Sequence, residues 1–325
     1  MPPLLSVKNL RVSLNDISQD RVGWVLRGVD INLEEGERLA LVGESGCGKS
    51  MTALSILHLL PQPPMKLIEG SLFFKGRDLT QLSKKEWEQI RGREIGIVFQ
   101  DPVMSLNPVL TVSRQISEVI KAHQDIKDDE VSVKVLSLLS EVGLPDAERL
   151  AGLYPHQLSG GMCQRVMIAL AIACEPALLI ADEPTTALDV TVQAQILDLL
   201  SRMTEKHHLS VLLITHDLRV ARGHADRVAI LYAGEVVEEG RAEEIFSHPQ
   251  HPYTEGLLSA LPEFSQKGKP LSTIPGSVPS PYRNLEGCAF YDRCSRAQAR
   301  CQESRPLLEQ VRKGHSSRCF YPSGK

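Results

Sequence analysis

The amino-acid sequence predicts an α/β fold: a parallel-sheet core with an antiparallel β subdomain, a helical subdomain and a small loop-rich C-terminal extension. Three observations lead there. LALV (39–42), ALLIA (177–181) and VLLIT (211–215) are short, almost wholly apolar runs. Each has the length of a strand covered on both faces and ends at a residue capable of chemistry. Helical patterns such as SEVIKAH (117–123) and VQAQILDLLSRM (192–203) lie between them. Strands buried on both sides and alternating with helices form a parallel sheet, whose ligand sites lie at the strand C-termini. Finally, residues from about 101 to 175 interrupt the alternation with mainly helical sequence, which marks a helical subdomain.

The remaining elements follow in chain order. LLSVKNLRVSL alternates apolar and polar side chains, as a half-buried antiparallel strand does. MTALSILHLL, after residue 50, has a helical pattern, and GSLFFKGRDL (70–79) reads as a strand entering a Lys75–Gly76 turn. IGIVFQ is another apolar run, closed by Gln100, and VAILYAGEVVEEG is a hairpin about Ala233–Gly234. Between 262 and 282 the composition changes, with prolines at Pro262, Pro270, Pro275, Pro279 and Pro281. Residues 1–245 are therefore expected to form the main domain, and 246–325 a separate, loop-rich appendage.

At 325 residues the chain has ample material for a core. Its formal net charge of −4, with 23% charged residues, gives no polyanion-binding surface and argues against nucleic acid as a partner. The opening MPPLLSVKNL lacks the basic head and apolar run of a secretion signal. VMIALAIAC (166–174) is the longest apolar stretch, well short of the roughly 20 residues that cross a bilayer. A soluble, cytosolic chain is expected.

GESGCGKS (43–50) fits GxxxxGK[ST] at Gly43, Gly48, Lys49 and Ser50. It follows the strand LALV and precedes a helix, the placement its mechanism needs. Glycines let backbone N–H groups curl inward on phosphate oxygens, and the helix N-terminus adds positive potential. Lys49 then reaches the β- and γ-phosphates, and the Ser50 hydroxyl ligates Mg²⁺. ALLIADE supplies Asp182 at a strand end for the Mg²⁺ shell and Glu183 beside it to polarise an attacking water. Gln100 can reach Mg²⁺ or that water, and His216, ending VLLIT, can donate to the γ-phosphate. LSGGMCQR (158–165) has a hydroxyl and two glycines opening a helix, so it too resembles an anion site.

Cys47, Cys163 and Cys174 are scattered through these motifs and read as small, semi-buried side chains. Cys288, Cys294, Cys301 and Cys319 cluster late in the chain, where four thiols in a reducing compartment suggest a metal more than disulfides. Their C-x5-C-x6-C-x17-C spacing lacks the paired C-x2–4-C of zinc ribbons. Iron–sulfur, zinc and unligated structural thiols remain the three readings.

Taken in this order, GESGCGKS, Gln100, LSGGMCQR, ALLIADE, TALD (186–189) and His216 resemble the ATP-binding subunit of ABC transporters, over roughly residues 4–245. The resemblance implies an ABC-type phosphate-loop ATPase, with Gly43, Ser45, Gly46, Cys47, Gly48, Lys49, Ser50 and Met51 around ATP. It also implies two subunits packed head to tail. Gln157, Ser159, Gly160 and Gly161 of one then approach the γ-phosphate held by the other, and Asp189 couples the two sites. The family places an aromatic residue under the adenine, for which Trp24 is the nearby candidate. Cys47 and Cys163 depart from the commonest spelling at positions whose side chains do no chemistry.

Narrower signatures, QDPVMSLNP, HPQHPYTEGLLSALP (248–262) and IPGSVPSPYRNLEGCAFYDRCSRA, resemble the ATPases of dipeptide, oligopeptide and nickel importers. That likeness implies two permease subunits, a second related ATPase making a heterodimer, and a substrate-binding protein. It places the chain peripherally on the cytoplasmic face of the inner membrane. It also implies a [4Fe–4S] cluster on Cys288, Cys294, Cys301 and Cys319, with zinc the runner-up. Peptide import is the leading reading and nickel import the alternative. An ABC ATPase acting on nucleic acid fits less well, because Gln100 and Ser159 are only 59 residues apart with no heptad run between them. A two-cassette translation factor would need a second phosphate loop.

Overall fold

The computed structural model describes residues 2–16, 18–186, 188–264 and 273–323. Ala187 of TALD and Pro270 lie outside the described residues. The chain divides into two compact units, one within residues 1–34, 38–80 and 215–325, the other within 35–37 and 81–214.

The first unit begins with β1 (Leu5–Asp16) and β2 (Arg21–Leu33), an antiparallel pair that sets Leu5 opposite Leu33. The core strand β3 (Arg38–Val42) and helix α1 (Lys49–Ile56) follow. β4 (Met65–Phe74) then pairs antiparallel with the other edge of β1, and β5 (Arg77–Asp78) completes the order β2-β1-β4-β5. Lys75 (φ 50°) and Gly76 (φ 75°) make the expected turn between β4 and β5.

The second unit carries the helices. α2 (Lys84–Ile90) starts at a Ser83–Glu86 capping box and leads to β6 (Ile95–Val98). Then come α3 (Pro102–Ser105), α4 (Val112–His123), α5 (Asp128–Glu141), α6 (Ala147–Ala151) and α7 (Gly160–Ile172). In α4 the buried residues Val112, Gln115, Ile116 and Ile120 recur at spacings of three and four, so one face packs inward. α7 buries Cys163, Gln164, Val166, Met167, Ile168, Ala169, Ala171 and Ile172, which explains its nearly unbroken apolar sequence. β7 (Leu178–Asp182), α8 (Val190–His207) and β8 (Ser210–Thr215) close the unit. β7 lies parallel to both β6 and β8, and every residue of β7 and β8 is buried. The two-sided burial read from ALLIA and VLLIT is therefore present.

The first unit resumes at α9 (Leu218–His224) and β9 (Arg227–Tyr232), which runs parallel to β3. Ala233 (φ 47°) and Gly234 (φ 79°) turn the chain into β10 (Glu235–Arg241), antiparallel to β9, as the hairpin reading required. Beyond this point the structure corrects the sequence. α10 (Ala242–Ser247), α11 (Pro252–Ser259) and α12 (Ala299–Glu303) precede β11 (Glu309–Arg312) and β12 (His315–Ser317). β12 pairs with β10, setting Glu238 opposite Ser317. Phe290 is buried against Tyr232 and Tyr253, with ring centroids at 5.2 and 5.4 Å. The fully buried Glu238 carboxylate accepts the backbone N–H groups of Gln250 (2.6 Å) and His251 (2.9 Å) and pairs with His315 at 2.7 Å. The late segment thus packs within the first unit. Its loop-rich sequence has too few apolar residues for a core of its own, so it shares the one beneath β9 and β10.

Candidate functional site

In the first unit, residues 43–48 curl between β3 and α1. Gly43 lies so close to β9 that a Cβ there would stand 2.2 Å from the Leu231 carbonyl oxygen. Gly48 caps α1 at φ 109°, a conformation side chains rarely adopt. The Gly234 N–H donates to the Cys47 carbonyl at 2.9 Å, tying the loop to the β9–β10 turn. The buried Lys49 ammonium donates to the carbonyls of Gly43 (2.9 Å) and Glu44 (3.0 Å), across the mouth of the loop. Burial pushes the Cys47 thiol up to about 11, so it stays protonated and serves as packing. Trp24 is half-buried on β2, its N–H donating to the Pro281 carbonyl at 2.8 Å. His216 is exposed directly after β8.

In the second unit, β7 ends at the buried Asp182, and Glu183 follows with φ at 45°. The Glu183 N–H donates to the Ile214 carbonyl at 2.9 Å. Its carboxylate accepts from the Gln100 amide at 3.1 Å and the Thr186 hydroxyl at 2.9 Å. The structure thereby joins Gln100 and Glu183, which the sequence separates by 83 residues. Thr186 was not singled out, although it opens the TALD motif.

Ser159 and Gly160 are exposed at the start of α7, where the Ser159 hydroxyl accepts the Met162 N–H at 3.3 Å as the helix cap. Gln157 is exposed just before them. Asp189 caps α8, accepting the Val192 N–H at 2.9 Å. The side chain of that same Val192 stands 2.9 Å from where a Cβ on Gly161 would be, so the two helix starts adjoin. Helix N-termini carry partial positive charge, so this is an electropositive point.

Cys288, Cys294, Cys301 and Cys319 are free thiols that line one cavity, together with His251 and Phe290. Burial raises the thiols of Cys288, to about 12, and of Cys294 and Cys319. Among the described residues no group of three or more His, Cys, Asp or Glu is set to hold a single metal ion. Cys163 and Cys174 are buried and their thiols likewise raised by burial, so they are structural.

Two further residues act on the phosphate loop and were missed in the sequence. The Tyr253 hydroxyl accepts the Glu44 N–H at 3.0 Å, and Arg293 forks onto the Glu44 carboxylate at 2.8 and 3.0 Å. Glu44 lies more than 200 positions from both, and no local pattern signals such pairs.

A phosphate loop between a parallel strand and a helix, with a carboxylate pair at a strand end, defines a phosphate-loop ATPase. Residues 26–186 match the family model described as ABC transporter, and residues 237–301 match that described as oligopeptide/dipeptide transporter, C-terminal region. The oligopeptide transport ATP-binding protein AppD of Bacillus subtilis (strain 168) is 47% identical, covering 98% of this chain and 97% of AppD. The dipeptide transport ATP-binding protein DppD of Escherichia coli (strain K12) is 46% identical with the same coverage. Among solved structures, the dimeric ATP-binding cassette MJ0796 bound to ADP and Pi matches with a TM-score of 0.65 and 32% identity, over 73% of this chain and 98% of that one. The chain belongs to the ABC transporter family, as an ATP-binding subunit of its oligopeptide/dipeptide branch, and is an ATPase.

Proposed function

We propose that this chain hydrolyses ATP to energise import of di- and oligopeptides, as one of two ATP-binding subunits packed head to tail. The observation that carries the reading is likeness to peptide-transport ATP-binding proteins along nearly the whole chain, late region included. ATP lies on Gly43, Ser45, Gly46, Cys47, Gly48, Lys49, Ser50 and Met51, with Trp24 toward the adenine. Ser50, Gln100 and Asp182 would hold Mg²⁺, which would supply positive charge to offset that developing on the transferred phosphoryl group. Glu183 orients the attacking water and His216 donates to the γ-phosphate. Gln157, Ser159, Gly160 and Gly161 face the nucleotide of the partner, and Asp189 couples the two. The exposure of Ser159 and Gly160 at a helix N-terminus supports that division.

The partners in this reading are a second, related ATPase, two permease subunits and a substrate-binding protein. Exposed Val103, Met104 and Val109 follow Gln100, an apolar patch suited to a permease contact. No helix among the described residues is long and apolar enough to cross a membrane, in keeping with peripheral attachment at the cytoplasmic face. Residues 1–245 are the nucleotide-binding domain, with its helical subdomain near 101–175, and 246–325 are the extension. Its four cysteines suit a [4Fe–4S] cluster in chemistry. All four thiols line one cavity, and four thiolates are the ligation such a cluster takes. Zinc on the same four thiols is the runner-up.

The complete complex in liposomes tests the transport reading. ATP-dependent uptake of a labelled di- or oligopeptide is expected. Uptake of nickel without peptide would move the chain to the runner-up. Anaerobically purified protein should be brown and contain iron and sulfide; colourless protein with one zinc per chain refutes the cluster.

A further inference from the structure

We propose that Arg293 is a positioning residue for the phosphate loop: it fixes and neutralises Glu44, so that the extension sets how well the loop receives a triphosphate. The inference rests on reading residues 43–50 as the nucleotide loop, and it is independent of any metal on the cysteines.

Glu44 is the second residue of GESGCGKS. It is held at four atoms, by three partners. Its N–H donates to the Tyr253 hydroxyl (3.0 Å), its carbonyl accepts Lys49 Nζ (3.0 Å), and its carboxylate takes both Nη1 (2.8 Å) and Nη2 (3.0 Å) of Arg293. Two of these three partners, Tyr253 and Arg293, come from beyond residue 245. The guanidinium is itself locked. Its Nε donates to the Pro275 carbonyl at 2.8 Å, it stacks near Tyr232 and Phe290, and its side chain is only 6% exposed. A buried fork of this kind specifies direction as well as charge, which a lysine does not reproduce.

The chemistry gives the pair a consequence beyond stability. Glu44 retains 29% side-chain exposure beside a loop built to receive a highly anionic ligand. An unpaired carboxylate there repels each phosphate charge, the more strongly where the site is shielded from water. Arg293 cancels that charge.

The test uses the assembled complex and a fluorescent ATP analogue, with ATPase rates at varied ATP and thermal melting alongside. Arg293→Gln should raise Kd and KM for ATP roughly tenfold while kcat at saturation changes far less. The penalty should shrink as salt is raised, because it is electrostatic. The double variant Arg293→Gln/Glu44→Gln should recover most of the affinity, although both variants lack the ion pair. A KM equal to wild type, or a double variant as weak as the single, overturns the proposal. If Arg293→Gln does not fold, Arg293→Lys decides in the same assay: severalfold weaker binding supports the fork, and wild-type binding refutes it. Lys49→Ala separates the two levels of the argument. If it binds the analogue as wild type does, the loop assignment fails, whatever Arg293 does.

Discussion

The Glu183 carboxylate accepts the Gln100 amide at 3.1 Å, and the backbone of Glu183 is in the left-handed region at φ 45°. A non-glycine residue held there costs of order 1–3 kcal/mol and persists only where its surroundings fix it. The Ile214 carbonyl and the Thr186 hydroxyl do the fixing on the backbone and side-chain sides. The strain therefore aims a carboxylate instead of leaving it to choose among rotamers.

Replacing that carboxylate by its amide, Glu183→Gln, keeps the shape and removes the group that orients water. Steady-state ATP turnover of the assembled complex should fall by about 10²–10⁴, while ATP remains bound and is recovered intact after rapid filtration. Turnover at the wild-type rate removes Glu183 from the role.

Ser159→Arg places a long side chain at the exposed start of α7. Because its own nucleotide is assigned to residues 43–50, the isolated chain should bind ATP as before. Turnover in the dimeric complex should nevertheless collapse, since the loop facing the partner is blocked. A monomer that hydrolyses ATP as fast as the complex, with Ser159→Arg inert, contradicts the shared site.

Phe290→Ala opens the core that the late segment shares with β9 and β10. Phe290 is 3% exposed and touches Tyr232 and Tyr253, so the expected loss is about 3–5 kcal/mol in chemical denaturation. A loss below 1 kcal/mol would mean that the segment is only loosely attached.

The Arg38 guanidinium bonds Asp226 through Nη2 (2.7 Å) and Nε (3.2 Å), and holds its carboxyl below the ordinary 3.8. A depressed carboxyl adds stability above the unfolded value and loses it as pH falls through the folded one. The stability difference between wild type and Asp226→Asn should thus be fully present well above the ordinary 3.8 and shrink as pH falls below it, read from denaturant midpoints. A difference that grows on acidification reverses the sign and refutes the assignment.

The phosphate loop, the Asp182–Glu183 pair and the signature loop were legible because each is a local pattern whose chemistry depends on neighbours a few residues away. The parallel strands were legible for the same reason, since two-sided burial writes an unbroken apolar run. Gln100 was read as reaching Mg²⁺ or the attacking water, and its direct bond to Glu183 emerged only in the structure. What the residues did not disclose was long-range pairing. HSS in β12 is too short and too polar to announce a strand, yet it pairs with β10. Arg293 in YDRCSRA gives no sign of Glu44, 249 positions earlier. A sequence rich in proline and cysteine reads as a loop whether it hangs free or is stitched into a neighbour, so its packing against the core under β9 and β10 was not legible.

The pairing of β12 with β10 has a consequence for the newborn chain. Arg241 leaves the ribosome 74 residues before His315 does, a delay of roughly 4–15 s at ordinary elongation rates. Through that interval β10 offers an open row of N–H and C=O groups to any strand that meets it. Messages cut short before codon 315 would yield molecules frozen with that sticky border, a hazard for quality control in the cell.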